Sequence, residues 1–292
     1  MLIDGSFSVN EPTPIRTSTG PGGTGHQVWN SSHILKSLLL SWDAEEREVE
    51  WLPLLKQVSP ESNVVQAHND CDPPSSVGSS PGPHKHGKLK PRARCTVELG
   101  AGTGHLAVSL ALAGWRGIWA TDGEAAVVRN MKYNVQSNRL GHAVRCLKWN
   151  WEDSPPQGLA LADVDLVIGA DLVYYNRTHG MLAAVLRSIL TARSSDDPRP
   201  PAKAFLLCCV RQAHEDGGGQ VVHHLCSEGY AGSSMQSFIE EELPDHGLFA
   251  RRHQIPEQIF DALSSEPTIE VLASTDNRTA YRLYEVGVHP IL

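Results

Sequence analysis

The sequence predicts an α/β fold: a doubly wound, mostly parallel seven-stranded sheet with helices on both faces, preceded by an N-terminal helical extension. Three observations predict it. From residue 95 onward, short apolar runs alternate with stretches of helical periodicity. Closely spaced glycines, Gly100, Gly102 and Gly104, join the first of those runs to the first of those helices. With 292 residues and 40% hydrophobic content, the chain has enough apolar material for one large buried core.

Taken in order, residues 1–25 are rich in Gly, Pro, Ser and Thr and poor in large apolar side chains. Such a segment cannot bury enough surface to offset its ordering entropy, so a flexible tail is expected. In 26–55, Trp29, Ile34, Leu35, Leu38, Leu39, Leu40 and Trp42 recur at helical spacing, and Trp51, Leu52, Leu54 and Leu55 begin a second apolar stretch; this is the helical extension. Residues 58–94 are again low in apolar side chains, with Pro60, Pro73, Pro74, Pro81 and Pro83, and read as a flexible insertion in a domain spanning 26–292. Strands are expected at 95–99, 117–121, 143–149, 164–169 and 205–210, with helices at 104–113, 124–138 and 181–190 between them. Val127, Met131 and Val135 share one face of the second of these helices; Leu182, Val185 and Ile189 share one face of the third. Further on, 220–228 reads as a helix and 269–272 and 280–286 as closing strands, which brings the strand count to seven.

The charge balance, 25 basic against 33 acidic residues for a net of −8, gives no long-range field toward nucleic acid or anionic lipid, so neither is an expected partner. The six cysteines, Cys71, Cys95, Cys146, Cys208, Cys209 and Cys226, have no C-x-x-C spacing and mostly lie in apolar runs, which points to a reducing compartment. The first residues lack a basic region followed by an apolar stretch, and the apolar run 106–115 is too short to span a bilayer. A cytoplasmic protein is expected, with the nucleus as a further location, and a monomer as its state.

The chemistry is concentrated at Glu98-Leu99-Gly100-Ala101-Gly102-Thr103-Gly104. Glycine lets a backbone turn tightly and approach a ligand without a Cβ in the way. A dinucleotide site would have G-x-G-x-x-G with a pyrophosphate on the helix N-terminus, whereas here the spacing is acidic-x-G-x-G-x-G. The Glu98 carboxylate repels phosphate and suits a cationic amino group. S-adenosylmethionine, which carries adenosine, a sulfonium and an ammonium but no phosphate, fits that description.

Asp122 ends the second strand about 20 residues past the glycine loop, the place from which a carboxylate reaches ribose hydroxyls; capping the next helix is its other reading. Trp149 stands at the end of the third strand, where an adenine wall would be, and Trp151 is its rival. The fourth strand runs out in Gly169-Ala170-Asp171-Leu172-Val173-Tyr174, which puts a carboxylate at the carboxyl edge of a parallel sheet, where ligands bind; a strand-end cap with a packing tyrosine is the alternative. Other matches fail on their own terms. Residues 82–88 resemble a phosphate loop, but Leu89 stands where Ser or Thr must hold magnesium and no strand precedes it. His84 with His86, and His223 with His224, have no companions at metal-ligand spacing, so no metal is expected.

Three stretches carry a family resemblance: His26-Gln27-Val28-Trp29-Asn30-Ser31-Ser32 ahead of a leucine-rich helix, the loop from Val97 to Gly104, and Asp171-Leu172-Val173-Tyr174, a D-x-x-Y signature. Thr121-Asp122 and Leu147-Lys148-Trp149 fit lesser positions. On these, residues 26–286 resemble the class I S-adenosylmethionine-dependent methyltransferases, and within them the protein lysine methyltransferases of family 16. The resemblance implies the Rossmann-like seven-strand methyltransferase fold and S-adenosyl-L-methionine as cofactor. It also implies methyl transfer to the side-chain amine of a lysine in a protein substrate. Trp29, Gly100, Ala101, Gly102, Asp122, Trp149 and Ala170 would line the cofactor, and Asp171 and Tyr174 would border the transfer site. The chain departs from the family in the 58–94 insertion and in the second tryptophan, Trp151. A histidine or small-molecule acceptor would share every cofactor residue, and a non-catalytic module would keep the fold without turnover; the intact D-x-x-Y segment argues against the latter.

Overall fold

A computed structural model describes residues 13–17, 28–48, 93–173, 176–215, 221–225, 234–264 and 278–289. The chain divides into two units, Met1–Leu40 with Pro91–Leu292, and Ser41–Lys90. Of the second, only the helical residues 41–48 are described. The expected second apolar stretch at 51–55, the 58–92 part of the insertion and the strand at 269–272 lie outside the described residues, as does Tyr174.

The extension is a helix, α1 (Asn30–Glu48), in which Ile34, Leu35 and Leu38 are fully buried. After it come β1 (Ala93–Leu99), α2 (His105–Leu112), β2 (Arg116–Asp122), α3 (Ala125–Ser137), β3 (Val144–Lys148), β4 (Leu166–Ala170), α4 (His179–Leu190) and β5 (Lys203–Cys209). Each expected strand and helix of this stretch is present within two residues. Two 3-10 turns, Leu161–Asp163 and Asn176–Thr178, flank β4, and the later elements are β6 (Arg211–Glu215), β7 (Val221–Leu225), α5 (Ser234–Ser237), a π-helical turn at Phe238–Glu242, α6 (Leu243–Asp245), β8 (Leu248–His253), α7 (Glu257–Ser264) and β9 (Tyr281–Val288).

The main sheet has seven strands in the order β3-β2-β1-β4-β5-β9-β8. The first five are parallel, and β9 pairs antiparallel with both β5 and β8. Val97 and Leu99 of β1, Val167 of β4 and Leu206 of β5 belong to one buried cluster with Leu182, Leu186 and Ile189 of α4. Alternation along β1 therefore sends Thr96 and Glu98 to the other face.

One expectation changes, and two features add to the rest. Residues 221–225 form a strand rather than a helix, paired antiparallel with β6 in a separate two-stranded ribbon. Val221, Val222 and Leu225 satisfy helical spacing, but a short apolar run is ambiguous until a partner strand supplies the ladder. The seventh strand of the described sheet is β8, whose Leu248-Phe249-Ala250-Arg251-Arg252-His253 lacks a clean period of two. Within the segment read as a flexible tail, residues 13–17 are bonded to α3: the Arg16 backbone bonds the side chains of Asn134 and Asn130, and the Thr13 hydroxyl donates to the Ser137 carbonyl at 3.3 Å. Cys95, Cys146, Cys208 and Cys209 are free thiols, the last three buried. No helix among the described residues is long and apolar enough to cross a membrane.

Candidate functional site

The chain builds β1, β2 and β3 outward in one direction and then returns to lay β4 on the other side of β1. At such a reversal the loops leaving the two central strands diverge to opposite faces and open a crevice beyond their carboxyl ends. Leu99 is in register with Gly169, so the glycine loop and the Ala170-Asp171 turn leave the sheet side by side. A cavity of about 350 Å³ lies there, within the range of small-ligand sites. It is lined by Trp29, Glu98, Gly100, Ala101, Gly102, Asp122, Trp149, Ala170 and Asp171, which are all the site residues expected from sequence except Tyr174.

The loop is held rigidly. Gly100, Gly102 and Gly104 have φ values of +57°, +55° and +77°, a region that L side chains rarely adopt. A Cβ on Gly100 would also overlap Leu172 Cδ2. The Ala101 N–H donates to the Thr121 carbonyl at 2.8 Å, and the Thr121 hydroxyl donates to the Glu98 carbonyl at 2.8 Å. Asp122 Oδ2 accepts the Gly102 N–H at 3.1 Å, and its Oδ1 accepts the Glu124 N–H at 3.0 Å. Asp122 thus fastens the loop and shapes the entry to α3 at once.

The Trp149 N–H donates to the Asp122 carbonyl at 2.9 Å, which brings that tryptophan beside the carboxylate. Trp149 is 3% exposed, and its indole N–H donates to the Asp153 carbonyl at 3.3 Å. Trp151 lines the same cavity. Trp29 is fixed at the start of α1, where its carbonyl accepts the Ser32 N–H at 2.9 Å and the Ser32 hydroxyl at 2.7 Å. Asp171 has a φ of +55°, a conformation that Asp and Asn tolerate better than most residues. Its N–H donates to the Leu207 carbonyl at 2.8 Å and its Oδ1 accepts the Cys209 N–H at 2.8 Å. Its carboxylate thus ties β4 to β5, and the residue also lines the cavity.

Sequence reasoning passed over Thr103, His105, Glu124, Asn150 and Arg177, which also line the cavity. His105 and Glu124 had a usable signal, since each stands at the start of a helix that leaves a strand end at the site. The His105 ring packs against that of His33 with centroids 4.2 Å apart, joining α1 to α2. Burial, with the nearby His33 and Lys36, lowers the His105 pKa to about 3, so the ring is neutral at neutral pH.

Glu98 is 3% exposed, and among the described residues its Oε2 has no hydrogen-bond partner. Burial pushes its pKa up to about 8; the Ala107 N–H pulls the other way, and the Asp122 charge adds to the rise. Around it, Asp122, Glu124 and Asp171 line the cavity, with Arg177 the one arginine or lysine among the described lining residues. Such a surround disfavours a phosphate. An unpartnered buried carboxyl oxygen fits an ammonium or sulfonium, and the glycine turn leaves room for a ligand against the backbone. The residues present therefore fit S-adenosylmethionine. Among the described residues no group of His, Cys, Asp or Glu has the arrangement of a metal site.

A family model described as lysine methyltransferase matches residues 10–216. Over 131 residues the chain is 31% identical to the EEF1A lysine methyltransferase 3 of Xenopus tropicalis, a match covering 44% of this chain and 52% of that protein. The chain thus spans about half the length of that relative. Solved structures that align include the CcbJ methyltransferase from Streptomyces caelestis, at 15% identity and TM-score 0.44 over 68% of this chain and 90% of that one. The complex of the Haloferax volcanii Trm112 activator with its methyltransferase aligns at 18% identity and TM-score 0.43, over 70% of this chain and 85% of that one. With the family model matching well over half of its length, the chain belongs to the lysine methyltransferase family, a class I methyltransferase of Rossmann-like fold that uses S-adenosyl-L-methionine.

Proposed function

We propose that the enzyme methylates the side-chain amine of a lysine in a protein. The observation that carries this reading is the placement of Asp171 beside the glycine loop, at the crevice where β1 and β4 end together. S-adenosylmethionine supplies an electrophilic methyl group when bound. The chain's own residues hold and orient the reactants, as befits a displacement that needs little covalent help. Gly100, Ala101 and Gly102 admit the cofactor to the backbone, Glu98 faces its positive charge, Asp122 faces its ribose, and Trp149 walls the adenine side. Asp171 orients the incoming amine. Its carboxylate also favours a protonated lysine, so its benefit lies in positioning and in stabilising the positive charge that develops on nitrogen during transfer. Tyr174 is assigned the wall of the amine slot through its place in the D-x-x-Y segment.

The protein acceptor is supported by family membership and by the relative's name, which makes EEF1A the first acceptor to try. The test is incubation with methyl-labelled S-adenosylmethionine and a cell extract, followed by amino-acid analysis of the labelled fraction. Label recovered as methyl-lysine in protein supports the reading. Label recovered as methyl-histidine, or only in small molecules, overturns it.

A further inference from the structure

Residues 13–17 of the N-terminal segment reach a buried side chain, Asn134. Asn134 on α3 is fully buried, and its amide Oδ1 accepts the Arg16 N–H at 2.8 Å. One Nδ2 hydrogen returns to the Arg16 carbonyl at 3.1 Å, so a single amide reads both polar groups of one residue's backbone as a neighbouring strand would. The other Nδ2 hydrogen goes to the Thr103 carbonyl at 2.9 Å. Thr103 is 2% exposed, stands inside the glycine loop and lines the cavity. These three bonding partners admit only one orientation of the amide, because both carbonyls require the Nδ2 side.

Further contacts hold the segment in place. Asn130 Nδ2 donates to the Arg16 carbonyl at 3.0 Å, and the Arg16 guanidinium lies 5.1 Å from the Tyr133 ring centroid. Removing the segment would leave the buried Oδ1 and one Nδ2 hydrogen of Asn134 without partners. A buried amide in that state turns toward other partners, and the loop carbonyl it holds is the one at risk.

We propose that residues 13–17 are a strap that sets the cofactor loop through Asn134, so that Asn134 and the Arg16 backbone are positioning groups for cofactor binding although neither lines the cavity. The inference rests on the assignment of the glycine loop to S-adenosylmethionine. It also gives the segment a duty that its composition does not suggest, since what is read is backbone, and the Arg16 side chain matters less than its N–H.

The test uses the full chain and three variants: Arg16→Pro, which deletes the N–H that Asn134 accepts; Arg16→Ala, which keeps it; and Asn134→Asp, which puts a carboxylate oxygen against the Thr103 and Arg16 carbonyls. S-adenosylmethionine and its demethylated product are titrated calorimetrically at a temperature where each variant is folded by circular dichroism. Arg16→Pro and Asn134→Asp should weaken binding about 10-fold, as expected when a buried polar group loses its partner, and Arg16→Pro should lose several-fold more than Arg16→Ala. Linkage is reciprocal, so the demethylated product should slow hydrogen exchange at the Arg16 amide of the parent chain. Lowered melting temperatures with unchanged cofactor affinity would make the strap a stability element and overturn the proposal. Failure of the parent chain itself to bind S-adenosylmethionine would instead overturn the cofactor assignment.

Discussion

At the scale of single residues, Glu98 and Asp171 are two carboxylates with different partners and therefore different tasks. Glu98 has an oxygen without a partner among the described residues and a pKa raised from 4.5 to about 8, chiefly by burial. Between those values the unfolded chain releases a proton that the folded chain retains, so this residue's contribution is full below pH about 4.5 and is lost as pH rises toward about 8. Stability of the free protein should fall over that window, and Glu98→Gln, which cannot ionise, should flatten the fall; urea midpoints from pH 5 to 8 measure it. The cofactor's positive charge favours the ionised carboxyl, so binding should release a proton and tighten as pH rises toward 8. Calorimetry at pH 7 in two buffers of different ionisation enthalpy measures that release, and identical heats would refute it. Asp171 has its Oδ1 on the Cys209 N–H, so truncation to Ala removes a strand contact along with any charge. Asp171→Asn keeps an acceptor and tolerates the positive φ, and it is the sharper probe. It should reduce methyl transfer about 100-fold or more, the range seen when one preorganised electrostatic contact is lost, with little change in cofactor affinity. Transfer at the parental rate would leave Asp171 as a strand tie alone.

The glycine loop is the element on which the site depends, and it is braced from three sides. Asp122 holds it from β2, Asn134 from α3, and Leu172 fills the space that a Cβ on Gly100 would need. At its end, Gly104 caps α2 with a φ of +77°, and a Cβ there would come 2.7 Å from Met131 Cγ. Gly104→Ala should therefore destabilise the fold by roughly 1–3 kcal/mol, from backbone strain together with displacement of a buried side chain. Denaturant unfolding with an unchanged m-value checks it; a midpoint equal to the parent's would show that the loop is slacker than its hydrogen bonds imply. The ribbon of β6 and β7 shows the opposite relation between an element and its sequence. Its second strand satisfies helical spacing, and only the ladder from Arg211↔Leu225 to Glu215↔Val221 makes it extended.

For the whole molecule, ligand selectivity follows from the balance of charge in the crevice. Among the described residues Asp122, Glu124 and Asp171 line it with one arginine, beside the buried Glu98, and the loop spacing is not that of a pyrophosphate site. S-adenosylmethionine at about 100 times its dissociation constant should stabilise the folded chain by about 2.7 kcal/mol and raise its melting temperature. NAD at the same concentration should not. A thermal shift with NAD and none with S-adenosylmethionine would remove the cofactor assignment.

Local rules let the sequence by itself determine the alternation of strands and helices from 95 to 210, the acidic-x-G-x-G-x-G turn, and the carboxylates Glu98, Asp122 and Asp171. A strand's period, a helix's period and a glycine's tolerance of positive φ all act within a few residues. The tertiary structure alone decided what those residues face. It set β4 beside β1, placed β9 antiparallel between β5 and β8, and buried Glu98 with an unpartnered oxygen. It also bound the backbone of Arg16 to the side chain of Asn134, 118 residues away. Strand order, burial and long-range hydrogen bonds arise from contacts between distant parts of the chain, and no local period encodes them. That is why residues 13–17, in a segment whose composition reads as a flexible tail, are tied through Asn134 to the glycine loop.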